Sequence, residues 1–194
     1  VGSEMCIRDK NCTWDLDDVL NAKEFFVQND IFMVEEPIRS DDTAGYIRLT
    51  KELGGIKVAG IESEQGVSRF AELIKADAMD VVQASLGWAG GFTGCRNIAS
   101  TAHAFNKLYT PHSFFSAVMT AANIQFAASQ VNIPFIEAEE NENPLRTELL
   151  KEPIETDEHM NYYITDKPGL GIELDLDVIE KYIICLLYTS DAAD

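Results

Sequence analysis

The 194-residue chain lacks most of the features that mark membrane, secreted and nucleic-acid-binding proteins. It contains no apolar run of about 18 residues that could form a transmembrane helix. It has only 15 Lys and Arg against 33 Asp and Glu, a net charge of −18, whereas phosphate binding needs clustered basic residues. Its four cysteines show no CxxC or zinc spacing, and no secretory signal is recognisable. We therefore expect a cytoplasmic protein with free thiols and with neither a membrane nor a nucleic-acid partner.

What the chain does have is a regular alternation of short apolar runs and helical patterns. The predicted strands are 31–34, 56–61, 81–83, 108–110 and 135–137. The predicted helices are 15–29, 43–53 with Asp42 as N-cap, 67–75, 92–105 and 113–130. Units of about 25 residues indicate parallel strands with crossover helices, in a barrel or in an open doubly wound sheet. No GxGxxG follows a strand, so a dinucleotide-binding sheet lacks its signature.

Polar side chains fall where the predicted strands end. These residues are Glu35, Glu62, Ser85, His112 and Glu137, and Asp9 and Asn11 precede the first helix in the same way. In a parallel barrel the carboxyl ends of the strands converge on one face. Taken singly, a Glu after a strand is more often a solvated loop residue. Several carboxylates converging on one face repel one another unless a cation neutralises them, and oxygen ligands favour Mg²⁺ or Mn²⁺.

Six short motifs occur in an order that resembles one known family. They are DKNCTW at 9–14, FMVEEP at 32–37, GIE at 60–62, GGFT at 90–93, PHS at 111–113 and PGLGIE at 168–173. This series resembles the enolase superfamily, in the branch of mandelate racemase and muconate lactonizing enzyme. The resemblance implies an α/β fold: a partial TIM-type (β/α) barrel with about strands three to eight. The first strands and the N-terminal capping domain would be missing.

By this resemblance, Asp9, Glu35 and Glu62 take the positions of the metal ligands, and Asn11 is a polar group near the metal. Glu36 is the weaker choice of ligand, because neighbouring residues on a strand face opposite sides. The expected cofactor is Mg²⁺, with Mn²⁺ as a possible substitute. The expected ligand is a small-molecule carboxylate, and the parent enzyme is expected to be a homo-oligomer.

The resemblance also assigns catalytic positions. His112 matches the base at the seventh strand, and Glu137 matches the eighth-strand acid that binds the substrate carboxylate or intermediate. Ser85 stands where the family often has an aspartate that supports the histidine. A serine orients an imidazole but does not stabilise its cation as a carboxylate does. His112 is therefore expected to act as a general acid, and lysine bases on the second strand would lie upstream of this chain.

Both ends of the chain resemble translated sequencing-adapter read-through, VGSEMCIRD and CLLYTSDAAD. We predict that residues 1–9 and 185–194 are artefactual. Residues 10–137 would form the partial barrel with the metal site, and residues 138–184 a C-terminal extension. An intact barrel needs about 250 residues, so we expect this chain alone to be inactive.

Three functions remain open at this stage. The first is a magnesium-dependent dehydratase, a lyase that abstracts the proton beside the carboxylate of an acid sugar or hydroxy acid. The second is a racemase, epimerase or cycloisomerase of the same superfamily. The third, from another class, is a non-catalytic paralogue that keeps the barrel as a scaffold, and metal binding would separate it from the first two.

Overall fold

A computed structural model of the chain describes residues 6–139 and 141–183. The strands are β1 (Cys6–Asp9), β2 (Ile31–Glu35), β3 (Lys57–Gly60), β4 (Val81–Val82) and β5 (Leu108–Tyr109). The helices are α1 (Leu16–Asn21), α2 (Lys23–Gln28), α3 (Thr43–Glu52), α4 (Val67–Lys75), α5 (Gly91–Ala104), α6 (Ala117–Ala128), α7 (Pro144–Thr147) and α8 (Leu176–Tyr182). The strands pair in sequence order, and every pair is parallel. This is the α/β arrangement of strand–helix units predicted from the sequence.

Helices α1 to α6 pack against one face of the sheet through buried side chains such as Phe26, Phe70 and Phe126. α4 has the predicted bounds and buries Phe70, Leu73 and Ile74. α3 begins at the predicted cap, where the side chain of Asp42 accepts a hydrogen bond from the backbone N–H of Gly45. Tyr46 is among the largest fully buried side chains of this layer. None of the helices in the described ranges is long and apolar enough to cross a membrane.

Two helix predictions differ from the structure, and α7 and α8 were not predicted. The single helix predicted for 15–29 divides into α1 and α2 at Ala22, where ψ is −5°. The helix predicted from residue 113 begins only at Ala117, because Ser116 is extended, with a φ of −101° and a ψ of 172°. α7 and α8 lie in a segment that showed no periodicity.

The strand predicted for 135–137 is wrong: these residues do not join the sheet in the part of the chain that the structure describes. The outer edge of β5 is instead met by Asn132. The backbone N–H of Tyr109 donates to the carbonyl of Asn132, and the Asn132 side chain donates to the carbonyl of Lys107. Phe135 then turns inward and packs against Phe32, with ring centroids 6.2 Å apart.

The inner face of the sheet holds a second, smaller apolar cluster. Its buried members are Met33, Ala59 and Val81, and Phe135 packs against them. Because side chains two residues apart lie on the same face of a strand, the next inward position on β2 is Glu35. The inner face therefore changes from apolar to acidic at the carboxyl ends of the strands, which positions the candidate site.

The predicted segment boundaries stay predictions. Cys6–Asp9, within the predicted artefactual residues 1–9, form β1 and pair with β2. Residues 1–5 and 185–194 lie outside the described residues. Residues 141–183 pack beyond the sheet with short helices, and they form isolated bridges between Leu150 and Leu174 and between Thr156 and Tyr162.

Candidate active site at the carboxyl ends of the strands

A cavity of about 540 Å³ opens at the carboxyl ends of the strands. Its polar lining consists of Asp9, Asn11, Glu35, Glu62, His112 and Glu137. Its apolar walls include Phe114, Phe135 and Ile136. Six of the seven residues predicted for the site thus line one cavity, and Ser85 is the exception.

His112 lies between two carboxylates. Its Nδ1 is 2.9 Å from an oxygen of Glu62 and 3.3 Å from an oxygen of Glu137. The N–H is aligned with neither oxygen, so these contacts are charge pairs rather than directed hydrogen bonds. Burial lowers the pKa of His112, but the interactions with Glu137 and Glu62 outweigh it and raise the pKa to about 10. The imidazolium is therefore the dominant form at neutral pH.

Two phenylalanines hold the ring of His112 from either side. Phe114 stacks on it with centroids 5.9 Å apart, and Phe115 meets it edge-on at 5.7 Å. A flat ring contact of this kind also favours a cationic imidazole through the quadrupole of the phenyl ring. The sequence reasoning did not single out either phenylalanine.

Glu35 sits at the end of β2 and is largely buried. Burial raises its pKa, and the nearby charge of Glu137 raises it further, to about 8. The opposing influence is a hydrogen bond of 2.6 Å from the Nε2 of Gln83. Glu35 is thus a carboxylate for which ionisation is unfavourable in the metal-free chain.

The other two proposed ligands come from the end of β1 and from the turn after β3. Asp9 ends β1 and is paired in register with Glu35; it accepts hydrogen bonds from the backbone and side-chain amides of Asn11 at 2.8 and 2.9 Å. Glu62 follows Ile61, a fully buried residue with a φ of +63°. This left-handed turn, unusual for a β-branched residue, anchors Ile61 in the core and leaves Glu62 at the cavity.

Glu36 does not line the cavity. Its φ of +37° bends the chain directly after Glu35, and its buried carboxylate accepts hydrogen bonds from Cys12 and Ser40. Ser85 is also away from the cavity. It is fully buried, and its hydroxyl accepts a hydrogen bond from the backbone N–H of Gly87 rather than one from His112.

The geometry has counterparts among known proteins. Residues 1–178 match the model of the family described as enolase C-terminal domain-like. The chain belongs to this family. Its curated relatives include enolase-superfamily enzymes named dehydratase and cycloisomerase.

Two curated relatives of this enolase-type domain are arabinonate dehydratase from Saccharolobus solfataricus and D-galactarolactone cycloisomerase from Agrobacterium fabrum. The first is 30% identical over 94% of this chain and 48% of its own length. The second is 32% identical over 76% of this chain and 41% of its own length. The solved 3,6-anhydro-D-galactonate cycloisomerase from Zobellia galactanivorans superposes with a TM-score of 0.85, at 27% identity, over 92% of this chain and 50% of that one. The chain thus spans about half the length of these relatives.

The donor set of this enolase-type domain fits a hard divalent cation. Asp9, Glu35 and Glu62 offer only oxygen atoms, the ligands that Mg²⁺ prefers. Burial and the charge of Glu137 raise the pKa of Glu35, so a bound cation would favour its ionised form. An oxygen of Glu62 lies 2.9 Å from the Nδ1 of His112. Within residues 6–139 and 141–183, no three His, Cys, Asp or Glu side chains are already arranged as a metal site. The three carboxylates would therefore have to draw together around a cation.

One residue of the site was missed by sequence reasoning. Gln83 is fully buried and donates from Nε2 to Glu35 at 2.6 Å and to Glu137 at 2.8 Å. The signal was present in the alternation of β4, since Gln83 is two residues after the inward-facing Val81. Gln83 was not predicted as a site residue because it fell inside the strand predicted for 81–83, whereas Ser85 followed the end of that strand.

Proposed function

We propose that the domain is the metal-binding half of a hydro-lyase that dehydrates an acid sugar or hydroxy acid. The observation that carries this proposal is the position of His112 at the edge of an acidic cavity, with its Nδ1 2.9 Å from Glu62 and 3.3 Å from Glu137. A protonated imidazole at that place is suited to donate a proton to a departing hydroxyl.

Asp9, Glu35 and Glu62 would hold the divalent cation. When bound, it supplies Lewis-acid stabilisation of the charge that develops on the substrate carboxylate. Glu137 accepts the backbone N–H of Ser113 at 2.8 Å and keeps its place beside His112. The Nδ1 of His112 faces the two glutamates, so Nε2 is the ring nitrogen left to face the substrate.

Dehydration removes one proton from the carbon beside the carboxylate and one hydroxide from the next carbon. His112 donates its proton from Nε2 to that hydroxide, which leaves as water. By the superfamily resemblance, the base that takes the carbon proton would be a lysine of the second barrel strand, upstream of the residues of this chain.

An isomerase of the same superfamily is the second proposal. It is favoured by the relatives named D-galactarolactone cycloisomerase and 3,6-anhydro-D-galactonate cycloisomerase. In that reaction a proton returns to the substrate and no water is lost. The two proposals therefore differ in whether a keto acid or an isomeric acid is formed.

The test uses the chain extended at its N-terminus to the length of its relatives, with Mg²⁺ and a panel of aldonic, aldaric and hydroxy acids. We expect a 2-keto acid product, and His112→Asn should lower turnover by about 10²–10⁴-fold while leaving Mg²⁺ affinity nearly unchanged. An isomeric product without water loss would favour the isomerase, and an extended chain that binds no Mg²⁺ would favour the scaffold.

A further inference from the structure

One buried amide group joins the two sides of the acidic cavity. Gln83, directly after β4, has no solvent exposure, and its Nε2 donates to the Oε1 of Glu35 and to the Oε1 of Glu137. Glu35 ends β2, whereas Glu137 lies in the segment after α6. The contacts therefore run from Glu35 through Gln83 and Glu137 to His112.

The orientation of this amide is dictated by charge. Only the NH₂ group of a glutamine can donate to two carboxylates, because its oxygen would be repelled by both. As a result the Oε1 of Gln83 is buried and has no hydrogen-bond partner among the described residues. A buried acceptor without a partner is destabilising, and an apolar side chain of similar length would avoid this cost. Packing alone thus does not explain a glutamine here.

We propose that Gln83 is a positioning residue for the metal site, an inference that rests on the proposed function. Its amide occupies one oxygen of Glu35 and leaves Oε2 for a cation. It likewise occupies Oε1 of Glu137 and leaves Oε2 to the backbone N–H of Ser113 and to His112. Gln83 thereby keeps two like charges in fixed places that their mutual repulsion would otherwise disturb.

The experiment measures Mn²⁺ affinity of the 194-residue chain from the electron paramagnetic resonance signal of free Mn²⁺. Gln83→Met removes both donors and keeps the side-chain length, and Gln28→Met is the matched change at an exposed position of α2. We expect Gln83→Met to weaken Mn²⁺ binding by about 10–100-fold, the usual effect of removing a partner of a metal ligand. Gln28→Met should leave it unchanged. Circular dichroism sets a temperature at which all forms are folded.

A second variant, Gln83→Glu, keeps the shape of the side chain and replaces the NH₂ donor by a third carboxylate. If only the total negative charge of the site mattered, this variant would bind Mn²⁺ more tightly. If Gln83 positions Glu35, the variant should bind Mn²⁺ more weakly, because Glu35 loses its hydrogen-bond donor and gains a repelling carboxylate. This variant decides the matter if Gln83→Met does not fold.

The outcomes separate the inference from the proposed function. If the native chain binds Mn²⁺ and the Gln83 variants bind it more weakly, the inference is supported. Equal Mn²⁺ affinity in the native chain and the folded Gln83 variants, even with a lowered melting temperature, would overturn it and leave the metal site standing. Absence of Mn²⁺ binding by the native chain would overturn the metal site and the inference together.

Discussion

The inner face of the sheet carries two layers of side chains: a lower, apolar layer, and an upper, polar layer at the carboxyl ends of the strands. The lower layer contains the apolar side chains Met33, Ala59, Val81, Leu108 and Phe135. The upper layer contains the polar side chains of Glu35, Gln83 and Thr110. The side chains of the lower layer are stabilised by apolar packing against one another. In the upper layer the Oε1 of Gln83 and the Oγ1 of Thr110 are buried and have no hydrogen-bond partner within residues 6–139 and 141–183. The pKa of Glu35 in this layer is raised to about 8.

The difference shows where stability and function separate in this domain. Apolar burial is favourable whatever ligand is present, whereas a buried carboxylate such as Glu35 is unfavourable until a cation or a proton joins it. Met33 and Glu35 lie two residues apart on one strand, so variants at these positions compare the two layers directly.

The largest effect is expected in the lower layer. Met33 is fully buried, and Met33→Ala should lower the free energy of unfolding by about 2–5 kcal/mol because it leaves a cavity in the inner cluster. Urea denaturation of the native and variant chains measures this change. A loss of less than about 1 kcal/mol would indicate that the inner cluster is not packed as described.

The next effect has the opposite sign. Folding raises the pKa of Glu35 from 4.5 to about 8, so its contribution to stability is complete below about pH 4.5 and is lost as the pH rises through about 8. Glu35→Gln removes this dependence while Gln83 still has an oxygen to contact. In EDTA at pH 8.5 we expect the variant to melt about 2–4 °C above the native chain.

The control for that variant is the same melt at pH 5, where the advantage of Glu35→Gln should disappear. Added Mg²⁺ should raise the melting temperature of the native chain and leave that of the variant unchanged, because a ligand stabilises only the state that binds it. A variant less stable than the native chain at pH 8.5 would show that Glu35 is not an unfavourable charge.

A helix cap outside both layers shows how much free energy of unfolding a single local hydrogen bond contributes. Asp42→Ala removes the cap of α3 and should cost about 1 kcal/mol. The neighbouring Asp41 pairs with Arg39 at the surface, so Asp41→Ala should leave the free energy of unfolding nearly unchanged. Equal losses at the two positions by urea denaturation would contradict the assigned cap.

The sequence predicted what depends on local periodicity. The bounds of α4, the cap at Asp42 and the strand at 31–34 follow from apolar spacing and capping chemistry, and the structure reproduces them. The expectation that the carboxyl ends of parallel strands converge on one face also predicted that Glu35, Glu62 and His112 lie together, and they line one cavity. Proximity at strand ends depends on parallel topology, which the repeating units already indicated.

What the sequence did not predict depends on contacts between distant segments. The run at 135–137 has the composition of a strand, but Asn132 meets β5 first. The role of Gln83 depends on Glu137, 54 positions away in the chain. The support of His112 by Glu62 and Glu137, rather than by Ser85, also depends on which side chains reach the cavity.

We propose that Asp9, Glu35 and Glu62 together bind a divalent cation. A crystal structure of the chain grown with Mn²⁺ and measured near the manganese absorption edge tests this most directly. We expect one strong anomalous peak within bonding distance of all three carboxylates, with His112 beside it. Anomalous peaks confined to other acidic residues on the surface, with the cavity empty, would contradict it.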